Sequence, residues 1–191
     1  MSEPLDIVAI LGSLRRQSLT GALLRGLIEN APKSLRVEPV PIGGLPLYDP
    51  DLEAAAPAAW VEFRARIARA SGVLFATPEY NRSVPAALKN AIDVGSRPPG
   101  QSVWNGKPAA VISASPGAIG GFGANHHLRQ SLVFLNMPTL QQPEAYIGRV
   151  DRLVDQEGQF KDESTRAFVV SFMGAFEHWV SRFAASGAGP M

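Results

Sequence analysis

The 191-residue chain is 46% hydrophobic and 18% charged, with a formal net charge of +1. That is apolar material for a sizeable core, which excludes a disordered chain, and too little basic charge for a dedicated nucleic-acid binder. The absence of cysteine excludes disulfides, cysteine-ligated zinc and a thiol nucleophile, and suits a reducing cytoplasmic setting.

In chain order, residues 5–11 are almost all apolar and end at Gly12, which reads as a parallel strand buried on both faces. A polar loop follows, with Ser13, Leu14, Arg15, Ser18, Leu19 and Thr20. Ala22, Leu23, Leu24, Leu27, Ile28 and Ala31 then recur at helical spacing until Pro32. Hydroxyls and N–H groups before a helix N-terminus make an anion site by geometry and dipole, and Arg15 adds a planar cation. A plain capping loop is the alternative. Neither the Walker A nor the GxGxxG pattern is present.

Residues 35–40 alternate polar and apolar, and Pro39 places that strand at an edge. Residues 42–52 form a Pro/Gly-rich loop; Tyr48 and Asp49 could reach a ligand from it, but a plain surface loop is the favoured reading. Residues 58–70 predict an amphipathic helix with Trp60, Phe63 and Ile67 inward.

The next strand, Val73 to Ala76, runs into Pro78, Glu79, Tyr80, Asn81 and Arg82. Ser83 is the expected helix cap, and Pro85 suits the first turn of a helix with Ala87, Leu88, Ala91 and Ile92 on one face. Pro78 biases Thr77 toward extended geometry and holds the turn open. The flat face of Tyr80 beside polar edges suits a planar, hydrogen-bonding ligand; an ordinary strand–helix loop is the alternative.

Residues 96–107 are a turn-rich connection, and residues 108–114 are the next apolar strand. The loop after it carries Ser115 and Gly117, and four glycines in seven residues at 117–123. Such a loop either admits a close ligand or is simply flexible. The helix that follows bears Leu128, Leu132 and Leu135. Its adjacent His126 and His127 point apart and make a poor metal pair, so structural or interface roles are expected. A last strand lies within 139–147, interrupted by Pro143, and residues 150–162 read as a polar loop. A core-facing helix from about 162 to 184 closes the domain, taken as residues 1–185, with a flexible tail at 186–191.

Five strands alternating with helices predict an α/β doubly wound sheet. In the order 2-1-3-4-5, the loops after strands one and three flank the switch-point crevice, with the glycine loop next to them. A phosphate seat, an aromatic edge and an exposed backbone at one mouth match flavin mononucleotide.

The motifs Gly12-Ser-Leu-Arg…Ser18, Pro78-Glu-Tyr-Asn…Ser83…Leu88-Lys-Asn-Ala-Ile-Asp93, and Ser115-Pro-Gly-Ala-Ile-Gly-Gly121…His127-Leu-Arg-Gln resemble the NADPH-dependent FMN reductase family, in particular its bacterial quinone and chromate reductase branch. The likeness covers about residues 5–147. It implies a flavodoxin-like three-layer fold with a five-stranded parallel sheet. It implies an FMN enzyme that takes hydride from NADPH or NADH and passes it, in ping-pong fashion, to a quinone, free flavin, chromate or a related small-molecule acceptor. The chemistry then resides on the flavin, with no catalytic side chain and no metal.

By the same resemblance, Ser13, Arg15, Ser18 and Thr20 hold the phosphate, with Leu14 and Leu19 in that loop. Pro78, Glu79, Tyr80 and Asn81 border the ring beside Arg82, and Ser115 and Gly117 approach its other edge. A homodimer or homotetramer is expected, with neither nucleic acid nor membrane as partner. Against the family pattern, Thr20 stands for Asn, Arg82 for Tyr, Val94 for Trp, Gly123 for Arg and His126 for Tyr. The last two put the usual tetramer contacts in doubt. Alternatives are a flavodoxin-type electron carrier and a non-catalytic nucleotide-binding dimer.

Overall fold

The computed structural model describes residues 3–185; the tail assigned to 186–191 lies outside them. Five strands, β1 (Leu5–Leu11), β2 (Leu35–Pro39), β3 (Gly72–Pro78), β4 (Ala109–Ser115) and β5 (Ala145–Gly148), form one parallel sheet in the order β2-β1-β3-β4-β5. The helices are α1 (Leu19–Glu29), α2 (Ala58–Arg69), α3 (Ala86–Gly95), α4 (Phe122–Phe134), α5 (Val150–Leu153) and α6 (Glu163–Ala185). The expected flavodoxin-like order is the one observed.

The apolar strands are continuous because each pleat is buried. Ile7, Ala9, Leu74, Ala76, Ala110 and Ile112 face α1 and α6 in one core. Their alternates Val8, Ile10, Val73, Phe75, Ala109 and Val111 face α2, α3 and α4 in the other. The α6 stripe of Val169, Phe172, Met173, Phe176 and Val180 is fully buried, as its spacing required. Among the described residues, no helix is long and apolar enough to cross a membrane.

Three local expectations are corrected. Ser83 does not cap α3: Pro85 holds the N-cap position with no side-chain bond, and Ser83 Oγ instead shares a 2.9 Å hydrogen bond with His127 Nδ1. The segment 150–162 is not simply a loop, because α5 forms there and Val150 and Val154 enter the core. The last strand is only four residues long, beginning after Pro143.

The segment 42–52 is a surface loop, as expected, and it is pinned to the scaffold. Asn90, 8% exposed, accepts from the Tyr48 N–H (2.8 Å) and donates to Pro46 O (3.0 Å), while Trp60 Nε1 also donates to Pro46 O (3.0 Å). Tyr48 stacks on Trp60 at 5.4 Å, and Asp49 caps a 3-10 helix over Pro50–Ala55. Both residues serve the scaffold.

Candidate cofactor site

The pairing of β1 with β3 sets their outgoing loops side by side. The Gly12 N–H donates to Ala76 O (2.8 Å), and a Cβ built on Gly12 would lie 3.1 Å from Thr77 Oγ1 and 3.3 Å from Pro78 Cδ. A side chain at 12 would press on Thr77 and Pro78; glycine leaves the two loops room to run side by side.

The first loop has the donor set of an anion site. Ser13, Ser18 and Thr20 are buried, at 7%, 5% and 3% exposure. Ser13 Oγ accepts from the Arg15 N–H (3.3 Å) and Ser18 Oγ caps α1 by accepting from the Gly21 N–H (3.0 Å). Each hydroxyl keeps its own proton free to donate. The first turn of α1 contains no acidic residue, so its partial positive charge meets no carboxylate from its own helix. Arg15 is exposed at the rim, and Leu14, 60% exposed, leans toward Gly43. Leu19 is the first residue of α1. The Ser18 cap therefore forms without using up the hydroxyl donors of the loop.

The second loop is a two-residue hairpin turn. The Tyr80 N–H donates to Ser83 O (3.0 Å) and the Ser83 N–H to Tyr80 O (2.9 Å), with φ at +51° for Asn81 and +63° for Arg82. Both central residues are left-handed, as a type I′ turn demands. Asn tolerates this; Arg82 bears a cost of about 1 kcal/mol. The turn lifts Tyr80 out of the fold at 50% exposure. Beside it opens a cavity of about 570 Å³ bounded by Tyr80, Asn81, Ser83, Lys89 and His127. Glu79 differs from its neighbours: its carboxylate turns away toward α4 and accepts from the Ala124 N–H (3.1 Å).

The third loop, 115–121, is braced from below. Ser113 Oγ donates to Gly120 O (2.8 Å) and accepts from Asn125 Nδ2 (3.2 Å). Asn125 Oδ1 in turn accepts from Arg129 Nε (2.9 Å). Ser113 and Asn125 are fully buried. Ser115 Oγ accepts from the exposed Gly117 N–H (3.0 Å), while Gly117 O accepts from the Gly120 and Arg149 N–H groups. Gly120 and Gly121 are left-handed, at +66° and +76°, so this loop is a defined bend built on glycine.

The brace was missed in the sequence. Its one signal was a serine at 113 and an asparagine at 125, each inside an otherwise apolar pattern. Among the described residues, no group of three His, Asp or Glu side chains is placed to hold a metal. A separate cavity of about 680 Å³ lies around Ser96, Arg97, Lys107 and Asn136, remote from these loops.

Comparison with known proteins decides the family. The NADPH-dependent FMN reductase profile matches residues 5–151. The chain belongs to the NADPH-dependent FMN reductase family. It is 57% identical over 181 residues to a quinone reductase of Pseudomonas putida, covering 94% of this chain and 97% of that one. A 2-hydroxy-1,4-benzoquinone reductase of a Burkholderia species is 44% identical over 176 residues, 92% of this chain and 96% of its own. The solved structure of FerB, a flavoenzyme NAD(P)H:(acceptor) oxidoreductase from Paracoccus denitrificans, superposes with a TM-score of 0.89 at 40% identity. It covers 94% of this chain and 98% of that one. For this family member the donor set of the α1 loop fits the phosphate of FMN.

Proposed function

We propose that this chain is an FMN-dependent NAD(P)H oxidoreductase whose acceptors are quinones or chemically similar small molecules. The observation that carries the reading is a buried-hydroxyl anion loop beside an exposed tyrosine turn at the β1–β3 switch point, where doubly wound sheets bind ligands. When bound, FMN supplies the redox chemistry, accepting hydride from NADPH or NADH and returning it to the acceptor.

The chain's own residues bind and orient. Ser13, Ser18 and Thr20, with the first N–H groups of α1, hold the phosphate, and Arg15 contributes charge at the rim. Leu14 and Leu19 are the apolar members of that loop. The backbone of Pro78, Glu79, Tyr80, Asn81 and Arg82 borders the ring, and Ser115 with Gly117 borders its other edge. No side chain is required as a nucleophile; fixing donor and acceptor in one geometry is the protein's contribution.

One site serving two substrates in turn requires ping-pong kinetics. Initial rates with varied NADPH and 1,4-benzoquinone should give parallel double-reciprocal lines; intersecting lines would refute the shared site.

We also assign the chain to the cytoplasm, where NAD(P)H is available and a cysteine-free sequence is at home. It works as a homodimer or homotetramer. Support for self-association comes from apolar groups left open: Val133 and Phe134 are 74% and 85% exposed, and Phe122 packs on His126 (4.1 Å) and Tyr146 (5.2 Å) near the glycine loop. Light scattering that reports a monomer at micromolar concentration would remove this assignment.

A further inference from the structure

The helices α1 and α4 both start at the loops of the candidate site, and they are treated differently. Neither has an acidic residue in its first turn. The α1 terminus is left to the anion loop, whereas α4 receives a carboxylate from outside. Glu79 Oε2 accepts from the Ala124 N–H (3.1 Å), and Glu79 Oε1 pairs with Arg82 Nη1 at 3.3 Å. The Glu79 side chain is only 13% exposed. One carboxylate thus caps α4 and holds the far side of the tyrosine turn.

The approach has a steric condition. A Cβ on Gly123 would sit 2.9 Å from Arg82 O and 2.9 Å from Glu79 Oε2. The first of these is backbone, so a side chain at 123 requires the turn or α4 to shift. Glycine gives this clearance without a shift of the Arg82 carbonyl.

We propose that Glu79 is a positioning residue, locking the Tyr80 turn to α4 over the flavin-facing crevice, with Gly123 as the clearance that lets the lock close. This rests on the FMN reading above. Glu79 acts through the turn and through α4, as the acceptor of the Ala124 N–H.

The test uses Glu79→Ala, Glu79→Gln, Gly123→Ala and the double variant Glu79→Ala/Gly123→Ala. FMN affinity is read from flavin fluorescence, and hydrogen exchange of the Ala124 amide is read in flavin-free protein. Glu79→Ala should weaken FMN binding about tenfold and speed Ala124 exchange at least about tenfold, with Gly123→Ala close behind. Glu79→Gln retains an acceptor for the Ala124 N–H and should stay within about threefold of wild type on both readouts.

The double variant should bind FMN no more weakly than Glu79→Ala, because both changes open one lock. Additive losses, or Glu79→Ala with unchanged affinity and exchange, would overturn the proposal. A wild-type protein that binds no FMN would instead remove the flavin reading, and Ala124 exchange would still decide the lock.

Discussion

Replacing Asn125 with alanine should destabilise the protein by about 3 kcal/mol. The side chain is fully buried and joins three elements: it donates to Ser113 Oγ and Ala145 O (each 3.2 Å) and accepts from Arg129 Nε (2.9 Å). The bond from the guanidinium involves a charged group, for which about 2 kcal/mol is typical; the neutral bonds add about 1 kcal/mol. Arg129 would keep its Nη1 bond to Leu140 O (2.9 Å), but its Nη2 is already buried without a partner and burial lowers its pKa. For a chain of this size, 3 kcal/mol lowers Tm by about 6–12 °C.

The assay is urea and thermal unfolding of Asn125→Ala, Arg129→Met and the double variant. Because the alanine takes one of its partners from a part-buried cation, removing that cation should recover stability, making the double variant at least as stable as Asn125→Ala. A Tm loss under about 2 °C for the single variant, or additive losses in the double, would refute the reasoning.

Three further outcomes are expected. Thr20→Val removes a buried hydroxyl at the α1 N-terminus and should weaken FMN binding about tenfold with little change in Tm; unchanged affinity, read by fluorescence titration, would take Thr20 out of the phosphate site. Arg82, 75% exposed at the turn, is a candidate reader of the NADPH 2′-phosphate. Arg82→Tyr should lower the ratio of kcat/KM for NADPH over NADH about tenfold, and an unchanged ratio would assign that choice elsewhere. Asp162 accepts from Ser164 Oγ, Thr165 N and Thr165 Oγ1, which hold its carboxyl below the usual carboxylate range. A depressed folded-state pKa stabilises above the unfolded value of about 3.9 and loses that contribution as pH falls through the folded value. Asp162→Ala should therefore melt earlier than wild type at pH 7, with the two curves converging in strong acid.

The sheet and its order were legible because buried parallel strands are written as unbroken apolar runs and α6 as a three-four stripe. Those signals depend only on periodicity. The hydroxyl-rich loop before α1 was legible for a similar reason, since Ser13, Ser18 and Thr20 stand together where a helix begins. What failed depended on distant partners. Ser83 has the chemistry of a cap, but His127, forty-four positions later, holds its hydroxyl. Tyr48 and Asp49 looked free because nothing local shows that Trp60 and Asn90 pin their loop. Glu79 sits in a motif that suggests ligand contact, and nothing local shows that its carboxylate also accepts from the Ala124 amide. Val150 and Val154 were lost in a polar stretch because two residues are too few to establish a period.

The most direct test of the redox assignment is the visible spectrum of the protein reconstituted with FMN, taken anaerobically before and after one equivalent of NADPH. The account predicts bound flavin whose yellow absorption bleaches within the mixing time of a manual assay and returns on adding benzoquinone. A protein that takes up no FMN, or one whose bound flavin keeps its colour in NADPH, would contradict it.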